Sequence, residues 1–167
     1  MKATVTVNLQ KLQQMLPNLQ AAFRSVAGPP LLEAILDLMS KGISPVKGVG
    51  RLVEYSETYK RMIMGEDSLS IESEFLQSAG KGIRPVNLFV TGTMYKSGKT
   101  DETNNGVRVS FTDALADIHN TQGAGKSKVV RHFMPTVPGE AYSKVIMDKM
   151  LGITAEIIQK EVDSQNS

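Results

Sequence analysis

The sequence predicts an α+β fold: a central antiparallel β-sheet, sandwich-like, flanked by N-terminal helices and a long C-terminal helix, with extended loops. Three observations predict it. Apolar residues recur at helical spacing in the first forty residues and again between Tyr142 and Ile158. In the stretch 83–94 (IRPVNLFVTGTM), Val86, Leu88 and Val90 alternate with Asn87, Phe89 and Thr91, the period of a strand with two distinct faces. Helices thus gather at both ends with strands in the middle, rather than alternating along the chain.

The elements follow in order. Ala3, Val5, Val7 and Leu9 alternate with Thr4 and Thr6, a short strand over 2–9. Asn8 can cap a helix carrying Leu9, Leu12, Met15 and Leu16, and Pro17 should end or restart it before Leu19, Ala22, Phe23 and Val26. Gly28-Pro29-Pro30 is a break, with Pro30 in the first turn of a helix whose apolar face is Leu31, Leu32, Ile35, Leu36, Leu38 and Met39. From Gly42 the texture changes to an extended, breaker-rich loop with basic residues Lys41, Lys47 and Arg51, leading to a short turn or helix near Tyr55, Tyr59 and Met62. Residues 65–82 show no clear period. Residues 86–94 and 107–111 read as an antiparallel pair joined by a long polar tip, 96–106. A polar tip contributes little to a core, so removing 100–105 is expected to leave the monomer folded. Residues 113–119 suit one or two helical turns, 121–128 form a Gly-rich basic loop, and 129–133 are extended. The last helix is expected over 139–163. The chain reads as a single domain, 1–167: strand and helices over 1–41, sheet and arms over 42–135, then the C-terminal helix.

Composition narrows the function classes. At 41% hydrophobic the chain can bury a core, and with no Trp but nine Met that core must be aliphatic and adaptable. Cys is absent, which excludes disulfides, thiol nucleophiles and cysteine-ligated metals. A formal charge of +2 is too small to argue by itself for a nucleic-acid binder. No apolar run approaches the roughly 18 residues of a membrane span, and Met1-Lys2-Ala3-Thr4 does not open a secretory signal. A cytosol, or a particle assembled in one, is the expected home.

Two sites imitate a phosphate-binding loop. Gly125-Lys126-Ser127 has Asn120, and Gly98-Lys99-Thr100 has Thr93, where the first glycine is needed for backbone N–H groups to curl around phosphates. His119 and His132 stand thirteen residues apart with no His-x-x-x-His spacing, and no serine sits on a Gly-x-Ser-x-Gly turn. No catalytic, cofactor-binding or metal-ligating residue is therefore expected, and the chain is not expected to be an enzyme. Three basic patches, Lys41 with Lys47 and Arg51, Lys96 with Lys99, and Lys126 with Lys128 and Arg131, together suit sequence-independent phosphate contact. A small nucleic-acid-binding protein using such loops is the alternative function.

Three groups of segments, in order, resemble the neck and tail-completion proteins that join head to tail in tailed bacteriophages. They are Gly42-Ile43-Ser44-Pro45-Val46 with Tyr55-Ser56-Glu57-Thr58-Tyr59-Lys60; Arg84-Pro85-Val86-Asn87-Leu88 with Thr91-Gly92-Thr93-Met94; and Ala116-Asp117-Ile118-His119-Asn120 with Arg131-His132-Phe133-Met134-Pro135. The resemblance covers roughly 41–161. It implies a virion structural protein that forms a closed homo-oligomeric ring, sixfold or twelvefold. Portal or adaptor proteins would lie on its head side and tail terminator, tube or sheath on its tail side, with DNA passing through and no membrane involved. It implies assembly in the host bacterial cytoplasm. Arms to neighbouring subunits would be drawn from 41–59, 65–82 and 96–106, with Pro45, Lys47, Arg51, Tyr55, Tyr59, Arg131 and Phe133 as contact candidates. Lys99, Lys126 and Lys128 would line the channel.

Overall fold

The structure, a computed structural model, describes residues 9–66, 71–126 and 128–165. In chain order these form α1 (Leu9–Val26), α2 (Gly28–Ser40), α3 (Glu57–Met64), α4 (Ile71–Ser78), α5 (Thr93–Lys96), β1 (Gly98–Thr103), β2 (Gly106–Phe111), α6 (Ala114–Asp117), a π-helical turn (Ile118–Gln122) and α7 (Lys144–Gln165). The fold is α+β, with an antiparallel sheet and a long C-terminal helix. The strand expected over 2–9 lies, but for Leu9, outside the described residues, and Leu9 opens α1.

Only Ala27 separates α1 from α2. In a continuous helix the carbonyls of Ser25 and Val26 would accept from residues 29 and 30, and proline has no N–H to give. In α2 the same prolines occupy the first turn, where that N–H would go unused. α2 buries Gly28, Leu31, Ile35, Leu38 and Met39 along one face. Gly28 must be small, because a Cβ there would stand 2.9 Å from the Thr100 Cβ on the hairpin. The interruption expected at Pro17 does not occur. α1 runs through it, and packing on α2, α7 and the hairpin offsets the roughly 3 kcal/mol that an interior proline costs.

The sheet differs from the expected one. β1 pairs with β2 from Gly98↔Phe111 to Thr103↔Gly106, turning over Asn104 and Asn105, so among the described residues the sheet is a two-stranded hairpin and not a sandwich. The polar residues read as a tip are the first strand itself. Gly98, Thr100 and Thr103 are half-buried while Lys99, Asp101 and Glu102 face solvent, so the alternation holds only to Asp101, in a strand with no large apolar side chain. Deleting 100–105 is therefore expected to remove half the sheet and abolish the cooperative thermal transition, whereas Asn105→Gly, at the turn, should shift stability by no more than about 0.5 kcal/mol.

Residues 86–90 form no strand. Their polar groups are taken by side chains instead of a ladder: Lys81 Nζ donates to the carbonyls of Asn87 at 2.9 Å and Phe89 at 2.6 Å. Val86 still points inward, and Leu88 packs against both cores of the molecule. The larger core joins α2, the hairpin, Met94, Ala116, Phe133 and Ile146; the smaller joins Leu52, Tyr55, Ile63, Leu76 and Val86. α7 begins at Lys144, later than expected, because the Glu140 carboxylate accepts from the N–H groups of Thr136 at 2.7 Å and Val137 at 3.3 Å and holds 136–140 as a closed turn.

Candidate functional site

The segments singled out in the sequence meet in space and bond to one another. The Ser44 hydroxyl donates to the His132 carbonyl at 2.6 Å, and the Ser143 N–H donates to the Pro45 carbonyl at 2.6 Å. Arg131 reaches back seventy-eight residues, donating from Nε to the Val53 carbonyl at 3.0 Å and from Nη2 to the Glu54 carbonyl at 3.1 Å. The Tyr55 hydroxyl donates to the Asn87 carbonyl. Asn120, presented inward by the π-helical turn, accepts at Oδ1 from the N–H groups of Phe133 (2.7 Å) and Met134 (2.9 Å) and donates from Nδ2 to the Met134 carbonyl (3.1 Å). Phe133 is 1% exposed and meets Phe111 edge to face at 5.5 Å.

This corrects part of the expected arm set. Pro45, Tyr55, Arg131 and Phe133 are interior joints of the monomer, all of them buried, and none extends from it. Lys47 and Arg51 do face solvent, on the loop closed by the Ile43↔Arg51 bridge, and Tyr59 is half-buried. The channel candidates separate. Lys99 is exposed on β1, whereas Lys126 and Lys128 are exposed on the turn closed by the Ala124↔Val129 bridge.

Behind that turn lies an open pocket of about 520 Å³. Its walls are Tyr59, Met62, Leu88, Val90 and Val129, Lys126 stands in its lining, and Tyr55, Lys81, His119 and Arg131 complete it. The ammonium of Lys81 and the guanidinium of Arg131 each lie 5.1 Å from the centroid of the Tyr55 ring, cation–π distances, and Tyr59 meets Tyr55 edge on at 5.1 Å. No carboxylate lines the pocket among the described residues, and neither Lys81 nor Arg131 takes part in an ion pair among them. Lys81 carries no mark in the sequence, where residues 65–82 show no clear period; Asn87 falls in the alternating stretch and His119 is one of two histidines that lack metal-ligand spacing, but no local spacing shows the distant partners that they or Asn120 meet.

Burial, with Arg131 as a second cause, lowers the Lys81 ammonium to about 8. His119 is likewise lowered by burial first, then by the charges of Arg131 and Lys81. Burial raises the Tyr55 and Tyr59 hydroxyls, so both stay protonated through neutral pH. The lysine shift fixes a sign. An unfolded lysine titrates near 10.4, so between about pH 8 and pH 10 the unfolded chain binds more protons and stability rises with pH. A gain on the order of 2 kcal/mol across that window is expected for the natural chain, and Lys81→Met should flatten it, as read by urea unfolding at a series of pH values.

A second feature is on the surface. α7 turns Ile146, Met150, Ile153 and Ile157 inward, and beside that face runs a row of exposed apolar side chains: Met147, Leu151, Ile158 and Val162, spaced four, seven and four. Leu151 is 63% exposed. Ile158 shares a groove of about 410 Å³ with Leu16, Leu19 and Phe23 of α1. Single exposed hydrophobics are ordinary on a monomer; here four of them share one side of a single helix.

No helix among the described residues is long and apolar enough to cross a membrane. Comparisons with protein-family models, with curated proteins and with solved structures find no match for this chain.

Proposed function

We propose that the protein is a structural component of a tailed-phage virion, a neck protein that assembles as a homo-oligomeric ring between the portal complex and the tail. The observation that carries this reading is the uncovered apolar ridge on α7, which a monomer leaves wet and a neighbouring copy would bury. Its place in the neck comes from the resemblance of the three segment groups, which the fold draws into a single hydrogen-bonded framework. Contacts between copies are heterologous, the ridge of one subunit meeting a different surface of the next, and they close by rotation. The exposed Lys99, Lys126 and Lys128 supply the modest positive charge suited to a channel that DNA must leave again.

Sedimentation of the purified chain, with and without short duplex DNA, tests the reading. A closed oligomer is expected, and Leu151→Lys should dissociate it while changing the stability of the monomer by no more than about 0.5 kcal/mol. A chain that stays monomeric and binds duplex tightly, with strong salt dependence, would instead establish a small nucleic-acid-binding protein acting through the turn of Lys126 and Lys128.

A further inference from the structure

We propose that the pocket beside Tyr55 binds a small organic anion, a carboxylate or phosphate monoester carried on a flat apolar body, with the Arg131 guanidinium taking the anionic oxygens. The site is separate from the α7 ridge, and the inference stands whether or not the chain assembles.

Charge comes first. Buried cations are normally paired, yet Arg131 is 5% exposed and Lys81 9% exposed with no carboxylate against either among the described residues. Carbonyl oxygens satisfy part of their hydrogen-bonding capacity without cancelling their charge. His119 adds a third basic group close enough to feel both. Two buried cations beside one cavity without a counter-ion are an arrangement that an incoming anion would relieve.

The donors divide between structure and ligand. Lys81 spends all three, on the carbonyls of Asn87 and Phe89 and on Asn87 Oδ1 at 2.5 Å, so it contributes field and not contact. Arg131 has five N–H groups; Nε and Nη2 hold Val53 and Glu54, and Nη1 bonds to nothing among the described residues. The enclosed Nδ1 of His119 has no hydrogen-bond partner among the described residues, so the ring lies in the wall and senses the charge of a bound anion without touching it. Lys126, exposed on the adjoining turn, is placed to attract the ligand.

Volume and walls specify the rest. About 520 Å³ is in the range of small-molecule sites. Tyr59, Met62, Leu88 and Val90 offer apolar surface that a bare inorganic ion would leave wet, so an aromatic or aliphatic body is required.

The test uses the full chain and four probes: phenyl phosphate, 4-phenylbutyrate, benzyl alcohol and inorganic phosphate. Calorimetry should show at least one of the two organic anions binding, and benzyl alcohol and inorganic phosphate weaker by about tenfold or more. If only phenyl phosphate binds, the natural ligand is a phosphate ester; if only 4-phenylbutyrate binds, it is a carboxylate. Saturation should also move the imidazole resonances of His119 and raise the pH at which it titrates, which a purely structural histidine would not show. Lys126→Glu, at an exposed position, should weaken binding several-fold with an unchanged melting curve, and this variant keeps the test open should Arg131→Gln fail to fold. Binding of benzyl alcohol as tight as that of the anions, no anion binding up to about 10 mM, or an unmoved His119 would overturn the proposal.

Discussion

Asn120→Ala is expected to destabilise the monomer by about 3–5 kcal/mol, enough to unfold much of the population at body temperature. The side chain is buried and satisfies three backbone groups at once, the N–H of Phe133, the N–H of Met134 and the carbonyl of Met134. Alanine would leave all three without a partner, and each such group costs about 1–3 kcal/mol. Asn120→Asp is the discriminating variant. At neutral pH it keeps the acceptor of the two N–H groups but turns a second, buried carboxylate oxygen toward the Met134 carbonyl, so its loss should match the alanine effect there and shrink as the carboxylate is protonated at lower pH. Chemical denaturation of both variants reads the difference. An alanine loss below about 1 kcal/mol, or no recovery of the aspartate variant at lower pH, would mean that the local backbone is held by something other than this side chain.

Phe133→Ala is expected to cost a similar amount, about 3–5 kcal/mol, the usual loss for truncating an enclosed phenylalanine. Phe133 fills the centre of the larger core between Phe111 and the face of α2. Phe133→Leu keeps most of the volume and should lose about 1–2 kcal/mol. The same variants separate the arm role that the resemblance implied from the interior role that the burial of Phe133 indicates. An arm residue would impair assembly and leave the isolated subunit intact; an interior residue lowers the melting temperature of the subunit itself. Differential scanning calorimetry on the monomeric Leu151→Lys background isolates the second effect.

Elements with a strong internal period were legible in the sequence. The apolar stripe of α2, the alternation of β2 and the inward face of α7 can be read directly, because each buries one side of a regular element. Elements whose conformation is set by distant partners were not. Residues 86–90 alternate like a strand but meet Lys81 and Tyr55 instead of a ladder. β1 looks like a solvent loop because its half-buried positions are threonines and a glycine. Pro17 lies inside a helix that packing sustains on both sides of it.

The candidate sites divide the same way. Exposure of Lys99, Lys126 and Lys128 follows from their polar, Gly-rich surroundings. The burial of Arg131 does not, since its carbonyl partners lie near residue 54, more than seventy positions away. The pocket beside Tyr55 has residues from three such distant segments, and nothing in local spacing announces it. An aromatic and a basic residue in a breaker-rich stretch look alike whether they end in solvent or in a core.

The central claim, a ring in a tailed virion, is tested most directly by electron cryomicroscopy of particles purified from cells that make this chain. Copies of the chain are predicted in a closed ring at the head–tail junction, with Met147, Leu151, Ile158 and Val162 of each α7 buried against the next copy. A finished particle that contains no copy of the chain, or one in which the ridge of α7 faces solvent, would contradict it.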